Sequence, residues 1–409
     1  ALMVTEIAIG RKTRLSCIGA YKALDKRFGF LGWIATLVPV IITPYYCVIG
    51  GWVMKYLFTF VTGQGMTAAD NGGFFDSFIG FDAGSLTATM LDFSGPTPWF
   101  LLFVLATTVV VIFGVEKGIE RASRFMMPIL AVLAIFVAIY SLTIPGAMAG
   151  LKYYLLPDFS QFSLSTVLGA LGQMFYSMSL AMGIMITYGS YMKKENLLEH
   201  SVTQIEVFDT LFAFVAGLMI IPAVVAFNGG DPSQINSGPG LMFVTLPMVF
   251  ESMHFGEIIG AVFFLLVLFA ALTSSISLME TIVSVVMDKT HMKRKPATLV
   301  VMVIILLVGI PSCLGYGPWA AIEIIGMQFL DFFDFISNSV LMPIVAVLTC
   351  ILVGHVIGTK VIADEVKEGA GAFHREKMYH VMIRWIAPVL LVTILVSELL
   401  TKVFHLFSI

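Results

Sequence analysis

The stretch GQMFYSMSLAMGIMITYGSY, Gly172–Tyr191, decides how the rest of the chain is read. It is apolar enough to sit in a membrane, yet its middle carries Gln173, Tyr176, Ser177 and Ser179, and its second half holds Gly183 and Gly189. A hydroxyl inside hydrocarbon needs a partner, which another helix, the backbone or a ligand can supply. Ser177 and Ser179 could bond back to carbonyls four residues earlier. A helix interrupted near Ser177–Gly183 accounts for these residues and for the small Ala181 together. Unwinding there frees carbonyls for a cation and a half-helix N-terminus for an anion.

The composition around this stretch supports a membrane reading. The chain has 409 residues, 58% hydrophobic and 12% charged, with a mean hydropathy of +0.96. A soluble globular chain is about a quarter charged. Apolar segments recur at about 1–10, 30–61, 98–114, 125–144, 165–191, 202–227, 257–287, 298–314, 319–354 and 379–404. The fold class is therefore an all-α polytopic membrane protein, with nine whole helices and one partial helix in the lipid bilayer. Segment 319–354 is long for one span, so part of it lies at the outer surface or the helix is strongly tilted. The opening ALMVTEIAIGRKTR reads as the tail of an apolar helix running into a basic loop. It is too short to span, and its charge follows the apolar part, unlike a signal peptide. The chain is expected to start in the middle of a helix.

Charge placement gives an orientation. All but Lys55, Lys152 and Lys402 of the 23 Lys/Arg fall in loops on one side. The loops between them are acidic: 63–97 carries Asp70, Asp76, Asp82 and Asp92, and 228–256 carries Asp231 and Glu251. The positive-inside rule puts the basic loops in the cytoplasm of a cell-membrane protein and the C-terminus outside. The net charge of -3 points to no particular partner, and no nucleic acid is expected. In the second acidic loop, PSQINSGPGLMFVTLPMVFESM reads as a short helical lid over an outer vestibule. Cys17, Cys47, Cys313 and Cys350 form no CxxC pair and read as packing residues.

Further polar groups stand in apolar surroundings. FAALTSSISLMETI, 269–282, supplies Thr273, Ser274, Ser275 and Ser277, hard neutral oxygens suited to an alkali cation or to helix packing. Asp209 sits about two turns into an apolar helix, either as a functional carboxylate or as an acid that snorkels to the helix start. Asp331 and Asp334 share one helix face at i, i+3, solvated or forming an outer gate. Glu6 and Glu280 read as structural, paired with groups on the cytoplasmic side. Of the adjacent Tyr45 and Tyr46, only one is expected to face the bundle centre.

Taken together, LMVTEIAIGR, PYY with GGW, GIERASRFMMPIL, GQMFYSMSLAMG with ITYGSY, GPGLMFVTLPMVF, LTSSISLME and FLDFFDF resemble the bacterial, eleven-helix branch of the neurotransmitter:sodium symporter family, along essentially the whole chain. The resemblance implies a leucine-transporter-type fold of two inverted five-helix repeats. The first repeat falls at about 1–144, the second at about 165–354, and an extra helix at about 379–404. It also implies that helix one and the start of helix two are absent from this sequence. With them would go about half of the ligands and the arginine of the outer gate, so the chain as given should not be a competent transporter.

Carried over residue by residue, the resemblance makes Tyr46 the partner of a substrate carboxylate and Tyr176 the aromatic lid of the outer gate. It places Ser177 and Asp209 in the first sodium site, and Ala270, through its carbonyl, with Thr273 and Ser274 in the second. Ile42, Ser179, Met182 and Leu278 line the side-chain pocket, with Ser177 and Ser274 also bordering substrate. Asp334 is the outer-gate acid. Ala181 stands where glycine is common. Ala213 stands where chloride-dependent members keep a serine, so chloride is not expected to be required. The implied function is sodium-coupled symport of a hydrophobic or aromatic amino acid by alternating access, without catalytic residues. A non-transporting amino-acid sensor on the same fold is the alternative. A membrane-embedded enzyme would need a nucleophile–base pair or a metal cluster, and the sequence offers neither. The oligomeric state is left open.

Overall fold

Backbone groups in hydrocarbon must be satisfied within the segment, so the apolar runs become helices. The computed structural model describes residues 1–80, 93–235, 237–368 and 372–403. Asp82, Asp92, Asn236 and the final position of the 379–404 segment lie outside the described residues. The chain begins with α1 (Leu2–Thr13) and the short α2 (Cys17–Leu24), then α3 (Gly29–Val61), α4 (Pro96–Ile112) and α5 (Glu120–Leu142). The opening stretch gives α6 (Leu164–Ser177) and α7 (Ile184–Tyr191), followed by α8 (Leu198–Phe227), α9 (Gly256–Thr290) and α10 (Arg294–Gly315). After α11 (Phe329–Val356, with wide turns at Phe335–Leu341 and Leu352–Val356) come α12 (Thr359–Lys367) and α13 (Glu376–Lys402).

Seven of these helices, α3, α5, α8, α9, α10, α11 and α13, are long and apolar enough to cross a membrane. The 17-residue α4 and the interrupted pair α6–α7 complete the nine expected segments, and α1 occupies the partial one. The long 319–354 segment is helical only from Phe329. Before it lie turns, closed by an isolated bridge between Ile324 and Met327. Part of that segment therefore lies outside the helix.

The central strut is α3. Its most apolar window is 67% buried against other helices, whereas the corresponding window of α13 is only 11% buried and faces outward. Trp52 and Tyr56 near the end of α3 anchor an aromatic cluster. Phe75 packs edge-on to Trp52 with ring centroids 5.3 Å apart and stacks on Phe243 at 5.5 Å. Tyr56 donates its hydroxyl to the Phe243 carbonyl at 2.7 Å. The expected lid thus contains a helix whose Phe243 is buried rather than a loop in solvent.

Backbone-on-backbone packing joins α1 to α7. A Cβ on Gly10 would collide with the Ile186 carbonyl, and one on Gly189 with the Ile7 carbonyl. Close approach of this kind is how membrane helices gain contact without a hydrophobic drive between them. All four cysteines are free and buried, as packing residues should be.

Candidate functional site

The interruption between α6 and α7 organises the site. Met178–Gly183 leave the helix, with Ser179, Ala181 and Gly183 at φ +53, +60 and +75. The left-handed region costs an alanine about 1 kcal/mol or more, so Ala181 holds its conformation through its surroundings. Its freed N–H donates to Glu6 Oε1 at 2.8 Å. This corrects the expectation for Glu6. It is fully buried at the helix break, not paired with cytoplasmic-side groups, because α1 runs directly against the interrupted segment. Glu280 does pair as expected. Arg294 donates to it through both terminal nitrogens at 2.6 and 2.9 Å, and Tyr191 donates to it at 2.7 Å.

A cavity of about 450 Å³ opens beside the break. Ile42 and Tyr46 of α3 line it, with Tyr176, Ser177, Ser179 and Met182 of the interrupted segment and Thr273, Ser274 and Leu278 of α9. Ile42, Met182 and Leu278 are buried and make its apolar wall. Tyr46 faces the cavity, while Tyr45 points away and donates to Asp334 Oδ1 at 3.1 Å. The two adjacent tyrosines thus divide the roles.

Ser177 and Thr273 line the cavity, and each is hydrogen-bonded to a residue outside the lining. Ser177 Oγ donates to Asp209 Oδ1 at 2.6 Å, joining α6 to α8. This hydroxyl goes to a side chain on a neighbouring helix instead of back to its own backbone. A carboxylate and a hydroxyl give hard oxygen donors for a small cation. On α9 the Thr273 hydroxyl donates to the Ala270 carbonyl at 2.9 Å, which brings those two oxygens together within one turn beside Ser274.

Asp334 lies in an adjoining cavity of about 150 Å³. Tyr176 and Gln173 line both cavities, so the Tyr176 ring stands between them. Asn338 Nδ2 donates to Asp334 Oδ1 at 2.6 Å, and Tyr316 donates to Asp331 at 2.9 Å. The two acids of FLDFFDF therefore serve different partners. Sequence reading did not assign Met127, Met185, Tyr188 and Ser277 to the main cavity, nor Asn338, Glu398 and Lys402 to the adjoining one. Tyr188 and Ser277 stand inside the quoted segments, so helical spacing from Ser274 and from the break was the available signal.

The chain compares with known proteins as follows. The model of the sodium:neurotransmitter symporter family matches residues 78–406. The sodium-dependent transporter YhdH of Bacillus subtilis is 35% identical, over 97% of this chain and 86% of that protein. A sodium-dependent transporter of Haemophilus influenzae is 32% identical, over 97% of this chain and 87% of that one. The crystal structure of MhsT in complex with L-phenylalanine superposes with a TM-score of 0.85 at 37% identity, covering 97% of this chain and 88% of that one.

Proposed function

This chain belongs to the sodium:neurotransmitter symporter family, and from that premise we propose that it carries an apolar or aromatic amino acid together with sodium by alternating access. It is a sodium-dependent membrane transporter with a leucine-transporter-type helical fold. The observation that carries the finer reading is the junction of two features. A broken helix exposes backbone and hydroxyl oxygens, and a cavity walled by Ile42, Met182 and Leu278 opens directly beside it. The likeness to MhsT, whose structure holds L-phenylalanine, supports the same cargo class.

In this reading the substrate carboxylate meets Tyr46, and the side chain fills the apolar wall beside Ser179. Tyr176 covers it from the Asp334 side. One sodium takes Ser177 and Asp209, and a second takes the Ala270 carbonyl, Thr273 and Ser274. A cation beside the substrate carboxylate offsets its charge in a low-dielectric site, so each binding event strengthens the other equally. The Asp209 carboxylate supplies a fixed negative charge to the first ion, and Ala213 supplies no hydroxyl, so chloride is not required. No covalent step is involved. The basic loops face the cytoplasm and α13 ends outside the cell membrane.

The test is uptake of amino acids by the full-length protein in proteoliposomes. Phenylalanine or leucine uptake should require an inward sodium gradient. Uptake unchanged when choline replaces sodium would overturn the reading.

A further inference from the structure

The cavity has a second aromatic side, on the opposite flank of the break from Tyr176. Tyr188 lies on α7, and its ring lines the cavity floor with Ser277 of α9. The two hydroxyl oxygens are 2.7 Å apart. Ser277 has a single proton, and it is directed to the Thr273 carbonyl at 3.1 Å. Both hydrogen bonds are made at once when Tyr188 donates and Ser277 accepts. A chain of hydrogen bonds thus runs from α7 through Ser277 to the turn of α9 that bears Thr273.

The element carrying Tyr188 is short and bounded by non-helical residues. The eight residues of α7 begin after Gly183 at φ +75 and end at Tyr191, before Met192 in extended backbone. Beyond it the chain enters the basic loop with Lys193 and Lys194. Tyr191 also ties α7 to α9 through Glu280. Tyr188 differs in that it borders the cavity itself.

We propose that Tyr188 is a positioning residue of the transport cycle: its hydroxyl, donated to Ser277, closes the cavity on the basic-loop side and ties that closure to the α9 turn that offers oxygens to sodium. This rests on the alternating-access reading above. Parting α7 from α9 breaks the bond. A cation on Thr273 and Ser274 orders the turn that holds Ser277, and so favours the closed floor.

Cys17 provides a native reporter. It is fully buried, and a Cβ on Gly183, the residue before α7, would lie 3.3 Å from its Sγ, so a displacement of α7 removes one side of its packing. The experiment compares wild type, Tyr188→Phe and Ser277→Ala, each in the full-length protein in inside-out vesicles. It reads Cys17 labelling by a membrane-impermeant thiol reagent, located by mass spectrometry, with and without sodium. It also reads the KM for phenylalanine. Tyr188→Phe keeps the ring and removes only the donor. Both variants should label Cys17 on the order of fivefold faster than wild type in sodium, the scale of one net hydrogen bond, and should raise KM. The double variant should be no worse than either single one. Wild-type labelling and KM in both single variants would overturn the inference while leaving the transport reading intact. A wild-type protein without sodium-dependent uptake would overturn both. A loss of thermal stability with wild-type Cys17 protection would assign Tyr188 a packing role only and overturn the inference.

Discussion

Ser177 and Asp209 are joined by a hydrogen bond of 2.6 Å between the broken helix and its neighbour α8. Ser177 lines the cavity, so the bond sets a carboxylate next to it on an apolar helix, where an uncompensated charge is costly. Replacing Asp209 by Asn keeps the bond's geometry but removes the charge. A full charge at contact distance from a cation attracts it by a few kcal/mol at an effective dielectric of about 20, so loss of the charge should raise the sodium concentration for half-maximal substrate binding on the order of tenfold or more. Sodium titration of phenylalanine binding checks this. Wild-type sodium affinity in Asp209→Asn would remove Asp209 from the ion site.

Gly10 and Gly189 mark where α1 and α7 touch backbone to backbone. A methyl group at either position collides with a carbonyl, which cannot rotate aside as a side chain can. Overpacking of this kind costs about 1–3 kcal/mol. Gly10→Ala and Gly189→Ala should each lower the thermal midpoint in detergent and reduce uptake. The double variant should fall short of the sum, because both substitutions push apart one interface.

Glu280 is fully buried and accepts from Arg294 and Tyr191 at once. Removing one partner of such a pair leaves the other charge uncompensated, at a cost of about 3–5 kcal/mol. Glu280→Ala should therefore be much less stable than wild type by thermal unfolding. Glu280→Leu combined with Arg294→Met should recover most of that loss, since the stranded charge goes too. A double variant as unstable as Glu280→Ala would show that the pair itself, and not the orphaned arginine, sets the stability.

Lys194, in the loop beyond α7, reaches Glu368 just after α12 at 2.7 Å and Glu365 in the last turn of α12 at 2.9 Å. The hydrogen bond from Lys194 holds the Glu368 carboxyl below its ordinary value of 4.5. A depressed acid contributes stability that is present above the unfolded value and lost as pH falls through the folded one. The difference in thermal midpoint between wild type and Lys194→Met should thus be constant from pH 8 to about 5, then shrink below pH 4.5. It should also shrink in high salt, because the pair is largely exposed. A difference that grew on acidification would reverse the assignment.

Much of this architecture is legible in the sequence because hydrocarbon leaves few choices. The nine long apolar runs became helical, seven of them as single helices long enough to cross a membrane, and hydroxyls with glycines marked the interruption at 178–183. What escaped depends on contacts between distant positions. Glu6 lies 175 residues from Ala181, whose N–H it accepts, and nothing in its own helix announces that partner. Arg11 reads as one more charge in a basic loop, yet it is fully buried, with Nε 2.8 Å from Glu365. Tyr45 and Tyr46 are equivalent by composition. Only the rotation of α3 sends one to Asp334 and the other to the cavity. Asp331 and Asp334 share a helix face, but the turns before α11 bring Tyr316 to the first and not the second.

The apolar wall makes a prediction about cargo. Ile42, Met182 and Leu278 are at most 4% exposed and present no polar group to the cavity. A charged substrate side chain would be buried there without a partner, at a cost of several kcal/mol. Lysine and glutamate should therefore fail to compete with phenylalanine for uptake. Within the apolar class, discrimination follows volume, at about 1–3 kcal/mol per methylene in a well-fitted pocket. Leu278→Ala leaves a void beside a leucine-sized side chain, whereas a larger aromatic ring can move into the new space. Leucine affinity should drop on the order of tenfold or more, and the affinity for tryptophan should drop less or rise. Competition against labelled phenylalanine with glycine, leucine, tryptophan and lysine separates the outcomes. An equal loss for all four would mean that Leu278 supports the fold without touching the cargo, and would move the side-chain pocket away from α9.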